Sequence, residues 1–196
     1  MSAARLSPDD AIAVIDPSSY AQWDGLLDRF DRIRSETPVA LADLAAGSGR
    51  DTFEWIDTMF DGLLAEGFRF TAVATITSAA SSVETLFTWS AALRDRVHYL
   101  VVKNRVAGDD FGYFDDTESG RAFMATAQPT VIDLRARARE IQTELDNRGL
   151  TPAQMAAADA DRRGPLLNGG TARLRAQAYA TQIDSALESA QHLLVP

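Results

Sequence analysis

Val97-His98-Tyr99-Leu100-Val101-Val102-Lys103-Asn104-Arg105 decides the fold. Six residues that are apolar nearly throughout, with no polar alternation, suit a strand whose two faces are both covered, as happens in a parallel sheet under helices. The run stops at a polar Lys-Asn-Arg step, which places Asn104 just past the carboxyl end of the strand. Working outward, Phe70 to Thr77 is rich in β-branched residues and reads as a preceding strand, and Thr130 to Leu134 as a following one. Between the first two, Ser81 and Glu84 have the spacing of a capping box that opens a helix. Gly108 to Gly112 reads as a loop.

The same alternation continues toward the amino terminus. Ala11 to Ile15 is a short apolar run, after which Asp16-Pro17 has the form of an N-cap followed by Pro at the first helical position. Tyr20, Trp23, Leu27 and Phe30 then recur at helical spacing. Val39 to Leu44 is another apolar run, which ends at Ala45-Ala46-Gly47-Ser48-Gly49. A helix from Asp51 carries Phe53, Ile56, Phe60 and Leu63 on one stripe and stops at Gly67, a left-handed C-cap. Toward the carboxyl terminus, Arg137 to Arg148 reads as a polar amphipathic helix with Gly149 beyond it, and Thr151, Pro152 and Gln154 restart a helix. From Thr171 a long helix aligns Ala176, Tyr179, Ile183, Leu187, Ala190 and Leu194 along one seam. The expected architecture is a single α/β domain over residues 1–196. It has a doubly wound, mainly parallel sheet, helices on both faces and a helical tail over 149–196, because parallel strands need crossovers of about a dozen residues.

Composition narrows the chemistry. The 196 residues are 46% hydrophobic and 24% charged, which is ordinary for a globular domain. A chain of this length buries roughly 70% of its unfolded surface, enough for a core without disulfides or a structural metal. There is no Cys, hence no thiolate nucleophile and no Cys-ligated zinc, and a cytoplasmic location is the simplest expectation. Net charge −9 disfavours nucleic acid as a partner bound through bulk charge. No apolar stretch approaches the roughly 18 residues of a membrane-spanning helix, and the first ten residues lack the apolar core of a signal peptide. All but one of the 19 basic residues are arginines, and Lys103 is the single lysine.

Gly47-Ser48-Gly49 is not the Gly-x-Ser-x-Gly turn that would expose a nucleophilic serine, and it lacks the third glycine of a dinucleotide fingerprint. Of the two histidines, His98 lies in the apolar strand and reads as a hydrogen-bonded structural residue, and His192 as a solvated residue of the last helical turn. What remains is a set of strand ends. Asp43, in the run that closes at Leu44, has the chemistry to hold a magnesium ion through water. Gly47 closes a turn of small residues through which backbone N–H groups could approach a terminal phosphate, and Asn104 could offer its amide to a purine edge. The same three residues could equally serve only to cap and permit turns.

Three stretches, Val-Ala-Leu-Ala-Asp-Leu-Ala-Ala-Gly-Ser-Gly (39–49), Phe-Thr-Ala-Val-Ala-Thr-Ile-Thr (70–77) and Val-His-Tyr-Leu-Val-Val-Lys-Asn-Arg (97–105), resemble the later part of ParA/MinD-type P-loop ATPases. The closer likeness is to the branch containing TraL-type conjugal transfer proteins, which also shows elements similar to Ile15-Asp16-Pro17-Ser18-Ser19-Tyr20 and Leu150-Thr151-Pro152-Ala153. The resemblance implies a sheet that binds ATP and Mg2+. Asp43 then matches the acidic strand-end residue, Gly47 the phosphate-sensing turn and Asn104 the base-reading amide. A homodimer or a protein partner is compatible with it.

One departure bears on mechanism. Such ATPases begin with a strand and a loop of the form Lys-Gly-Gly-x-Gly-Lys-Ser/Thr, whose N–H groups and lysine hold the phosphates. Lys103 follows Val102, so the sequence contains no Gly-Lys pair, and ATP turnover is not expected of it. Two explanations compete: the carboxyl portion of a longer ATPase, or a degenerate adaptor that keeps the scaffold for a partner. The first carries the expectation that DNA just upstream of Met1 encodes, in frame, an apolar strand and a loop ending Gly-Lys-Ser or Gly-Lys-Thr. A third reading uses the seam from Ala176 to Leu194 as a docking surface, against the plainer expectation that it packs on the domain's own sheet.

Overall fold

The structure, a computed structural model, describes residues 49–135 and 170–194 continuously, together with isolated positions at 24, 25, 28, 39, 41, 143, 147, 149 and 154. The chain divides into two compact units, residues 1–68 and 69–196.

In the first unit, helix α1 (Gly49–Ala65) buries Thr52, Trp55, Ile56 and Phe60. Its end follows from Gly67, whose φ of 90° lets its N–H reach Leu64 O and the Phe68 N–H reach Leu63 O, both at 3.0 Å. That pair of bonds is the Schellman closure expected of a glycine just beyond a helix. Asp24, Gly25 and Asp28 are helical and exposed; the expected stripe of Tyr20, Trp23, Leu27 and Phe30 lies outside the described residues. The apolar run 39–44 is described only at Val39 and Leu41. Neither is in a strand, and Leu41 is 90% exposed, so the strand reading fails at both.

The second unit is built on three parallel strands, β1 (Thr71–Ile76), β2 (His98–Asn104) and β3 (Thr130–Leu134), in the order β1-β2-β3. The register pairs Val73 with Leu100 and Val102 with Ile132. Strand β2 is central, and Tyr99 to Val102 are all buried, as their unbroken apolar run requires. Among the described residues this is a small open parallel sheet of three strands with helices, and their order contains no reversal.

Helix α2 (Ala80–Leu93) crosses from β1 to β2, and α3 (Gly112–Asp115) and α4 (Glu118–Ala127) from β2 to β3. Phe123 of α4 joins these layers: its ring lies 5.5 Å from Tyr99, 5.9 Å from Phe87 and 6.1 Å from Phe114. The alternate residues Leu100 and Val102, with Ile132, form a separate cluster with Ala186, Ala190, Leu193 and Leu194. These last come from helices α5 (Gly170–Glu188) and α6 (Gln191–Leu194) and the turn between them, tied down by a 2.7 Å hydrogen bond from Thr71 Oγ1 to Leu193 O. The carboxyl half of the terminal seam therefore packs on the unit's own sheet. Two details differ from the sequence reading: the helix breaks between Glu188 and Gln191, and Leu187 is 37% exposed while Ala186 makes the contact.

Other local readings are corrected. Helix α2 begins before Ser81. Its N-terminal turn is organised by Ser82, whose Oγ accepts from Thr77 N at 2.9 Å and donates to Ala79 O at 2.7 Å, so no Ser81–Glu84 box forms. His98 is exposed at the first position of β2 and is not a buried structural residue, although its backbone N–H pairs with Phe70 O at 2.9 Å. His192 is exposed, as expected. Thr143, Asn147 and Gln154 are helical, and Gly149 has a left-handed φ of 60°; the rest of the expected helix 137–148 lies outside the described residues.

Candidate functional site at the carboxyl edge of the sheet

All three strands point the same way, so Thr77, Asn104 and Arg135 follow their carboxyl ends on one edge. In an open parallel sheet this is the edge at which ligands bind. Asp43 and Gly47 lie outside the described residues, and of the three strand-end candidates only Asn104 can be placed.

Asn104 closes β2 and caps the single 3-10 turn Arg105–Ala107. Its Oδ1 accepts from Val106 N at 3.1 Å, the Asx geometry that short polar side chains adopt at turns. Its Nδ2 hydrogen-bonds to none of the described residues, so two donors remain. Gly108 ends the turn at a φ of 143°, where a side chain is strained, and a Cβ there would lie 3.3 Å from Ser78 Oγ. Ser78, in the turn between β1 and α2, donates to Ala107 O at 3.3 Å.

Two cations of this edge, Lys103 and Arg105, are already engaged. Lys103 Nζ, on a side chain only 13% exposed, holds both oxygens of Asp115 at 2.7 and 2.8 Å and lies 5.4 Å from the ring centroids of Phe111 and Phe114. Arg105 reaches Asp133 Oδ1 on β3 through Nε at 2.8 Å and Asp109 Oδ1 at 3.2 Å, with its guanidinium 5.3 Å from the Phe111 ring. These hydrogen bonds, to Asp109 first and then Asp133, hold the Arg105 pKa above its ordinary value. Arg105, Asp109, Asp133 and Arg135 line an open groove whose formal charges cancel. Sequence reading stopped at Arg105 as the end of a strand and missed Asp109, Asp133 and Arg135, because an ion pair across 28 residues has no local signature.

Among the described residues there is no cluster of three or more His, Asp or Glu able to hold a metal ion, and no helix is long and apolar enough to cross a membrane. Comparison of the chain with protein-family models, with curated proteins and with solved structures gives no match.

Proposed function

We propose that this chain is a ParA/MinD-like nucleotide-binding scaffold of the plasmid-partition or conjugal-transfer kind. On this reading it presents the base-side half of an ATP site on a doubly wound sheet and does not hydrolyse ATP with these 196 residues alone. The observation that carries the reading is Asn104: it stands at the carboxyl end of the central strand of a parallel sheet, with its amide donors unspent. Asp43 is assigned to Mg2+ through water and Gly47 to the terminal phosphate, as the resemblance implies. Weak phosphate capture is supported by the pairing of Lys103 with Asp115 and of Arg105 with Asp109 and Asp133, which leaves little net positive charge for a triphosphate.

Calorimetry with adenosine, ADP and Mg-ATP tests this. The expected result is binding near or weaker than about 1 mM for all three ligands, with Mg-ATP at most a few-fold tighter than adenosine and no phosphate release. Asn104→Asp, which keeps the acceptor for Val106 N but removes the amide donors, abolishes the binding. Micromolar magnesium-dependent binding, or phosphate release lost in Asp43→Ala, refutes the proposal. Absence of all binding leaves the adaptor reading.

A further inference from the structure

Thr71-Ala72-Val73-Ala74-Thr75, the first five residues of β1, read the same in both directions. Among the described residues β1 has one neighbouring strand, β2, so its other side is an edge of the sheet. The register fixes which backbone groups that edge presents. His98 stands opposite Thr71 and its N–H donates to Phe70 O at 2.9 Å, so Phe70, Ala72, Ala74 and Ile76 turn their N–H and C=O groups toward β2. Thr71, Val73 and Thr75 turn theirs outward, each offering one donor and one acceptor. Val73 is 49% exposed, and Thr75 is exposed as well.

Edge strands are ordinarily guarded by a charge, a proline or a bulge, and β1 has none of these between Thr71 and Ile76. Strand β3, on the other side of β2, is guarded: Pro129 precedes it, and it carries Asp133, which is paired with Arg105. We infer that β1 is a self-association edge, to which a second copy of this chain adds its own β1, antiparallel, about a two-fold axis at Val73. In that register Val73 faces Val73, Thr71 faces Thr75 and Ala72 faces Ala74. A two-fold interface has to be complementary to itself, and the palindrome makes it so, since every residue meets one of its own type. Pairs of Val and of Thr are favourable across antiparallel strands. The outward N–H and C=O groups of Thr71, Val73 and Thr75 are all satisfied, two hydrogen bonds to each facing pair, and the two sheets become one. The seam holds no charged residue, so the net charge of −9 on each copy stays outside it. It leaves Asn104 and the carboxyl edge untouched and does not depend on the nucleotide reading.

Sedimentation equilibrium of the 196-residue chain, from about 1 to about 100 μM, tests this. The parent is expected to reach twice the 21.3 kDa of one chain. Val73→Lys and Val73→Glu change a half-exposed side chain, so both are expected to keep the circular dichroism of the parent. Each stays monomeric over the whole range, because like charges meet at the axis, and an equimolar mixture of the two regains the dimer mass. The chain has no cysteine, so introduced thiols report the register directly. Under mild oxidation Val73→Cys gives a covalent dimer, its two Cα atoms facing each other within the roughly 7 Å that a disulfide allows. Thr75→Cys does not, because each position 75 faces position 71 and the two Cα atoms lie about 14 Å apart. A parent that is monomeric throughout, charged variants that still dimerise, a mixture that stays monomeric, or equal crosslinking at 73 and 75 overturns the self-association edge.

Discussion

Gly120→Ala is the substitution for which helix propensity and packing give opposite signs. Gly120 sits in the first turn of α4, where its N–H is capped by Thr117 Oγ1 at 3.1 Å. On propensity alone, Ala in a helix gains about 1 kcal/mol over Gly. The structure forbids that gain: an added Cβ would lie 1.8 Å from the carbonyl oxygen of Phe114 and 2.8 Å from its carbon. Real Cβ contacts essentially never fall below 3.0 Å, so two backbone segments must part by more than an ångström. Neither can yield cheaply, because Phe114 is fully buried against Phe123, and Phe123 also touches Tyr99 of the central strand. Overpacking a core costs about 1–3 kcal/mol, and a backbone-to-backbone clash belongs at the upper end, so after the propensity gain of about 1 kcal/mol the net loss is about 2 kcal/mol. With an m-value of about 2–3 kcal/mol/M, the urea midpoint of the unit containing α4 falls by about 1 M. An unchanged or raised midpoint would refute the close approach of α3 and α4.

Three further outcomes are expected. Gly62→Ala, in the interior of α1 with nothing within 4 Å of the new Cβ, stabilises the helix by up to about 1 kcal/mol; a loss on urea unfolding would show that the site is not open. Tyr99 is pushed up to about 12 by burial, with Arg96 opposing and Asp95 adding to the shift, and its OH donates to Arg94 O at 2.8 Å. Its contribution to stability is therefore complete below its unfolded value of 10.0 and is lost as pH rises toward 12, and a phenolate absorbance titration in which all four tyrosines ionise together near 10 would contradict this. Acylation by an amine-reactive ester, followed by mass spectrometry, modifies Lys103 far more slowly than the α-amino group and accelerates in Asp115→Asn; fast labelling of the parent at Lys103 would rule out the enclosed ion pair.

The parts of the fold that could be read from sequence are those whose signal is local and whose burial is uniform. Strand β2 announces itself because both faces are covered, and β3 has the bounds expected for it, Thr130–Leu134. Gly67 stops α1 where a left-handed residue was required. Helix α4 went unread because it is ten residues long and only Gly120 and Phe123 are buried, so its apolar stripe spans a single turn. The capping-box spacing of Ser81 and Glu84 misled, because the helix already starts at Ala80 and its first turn is tied by Ser82 to Thr77 and Ala79. Asn104 was found from its place after an apolar run. The engagement of its neighbours Lys103 and Arg105 was not, because their partners Asp115 and Asp133 lie 12 and 28 residues away.

The hydrogen bond from Thr71 to Leu193 closes a separation of 122 residues, and it orders events during synthesis. The sheet and its crossover helices are complete once Leu134 has been made, but the residues that cover Leu100, Val102 and Ile132 come from the last stretch of the chain. At ordinary rates of translation the interval between Leu134 and Leu193 is about 3–12 s, during which the nascent sheet lacks the cover that Ala186, Ala190, Leu193 and Leu194 supply. The terminal helices thus close over Leu100, Val102 and Ile132 last, and a ribosome stalled before Ala186 holds these strands without that cover.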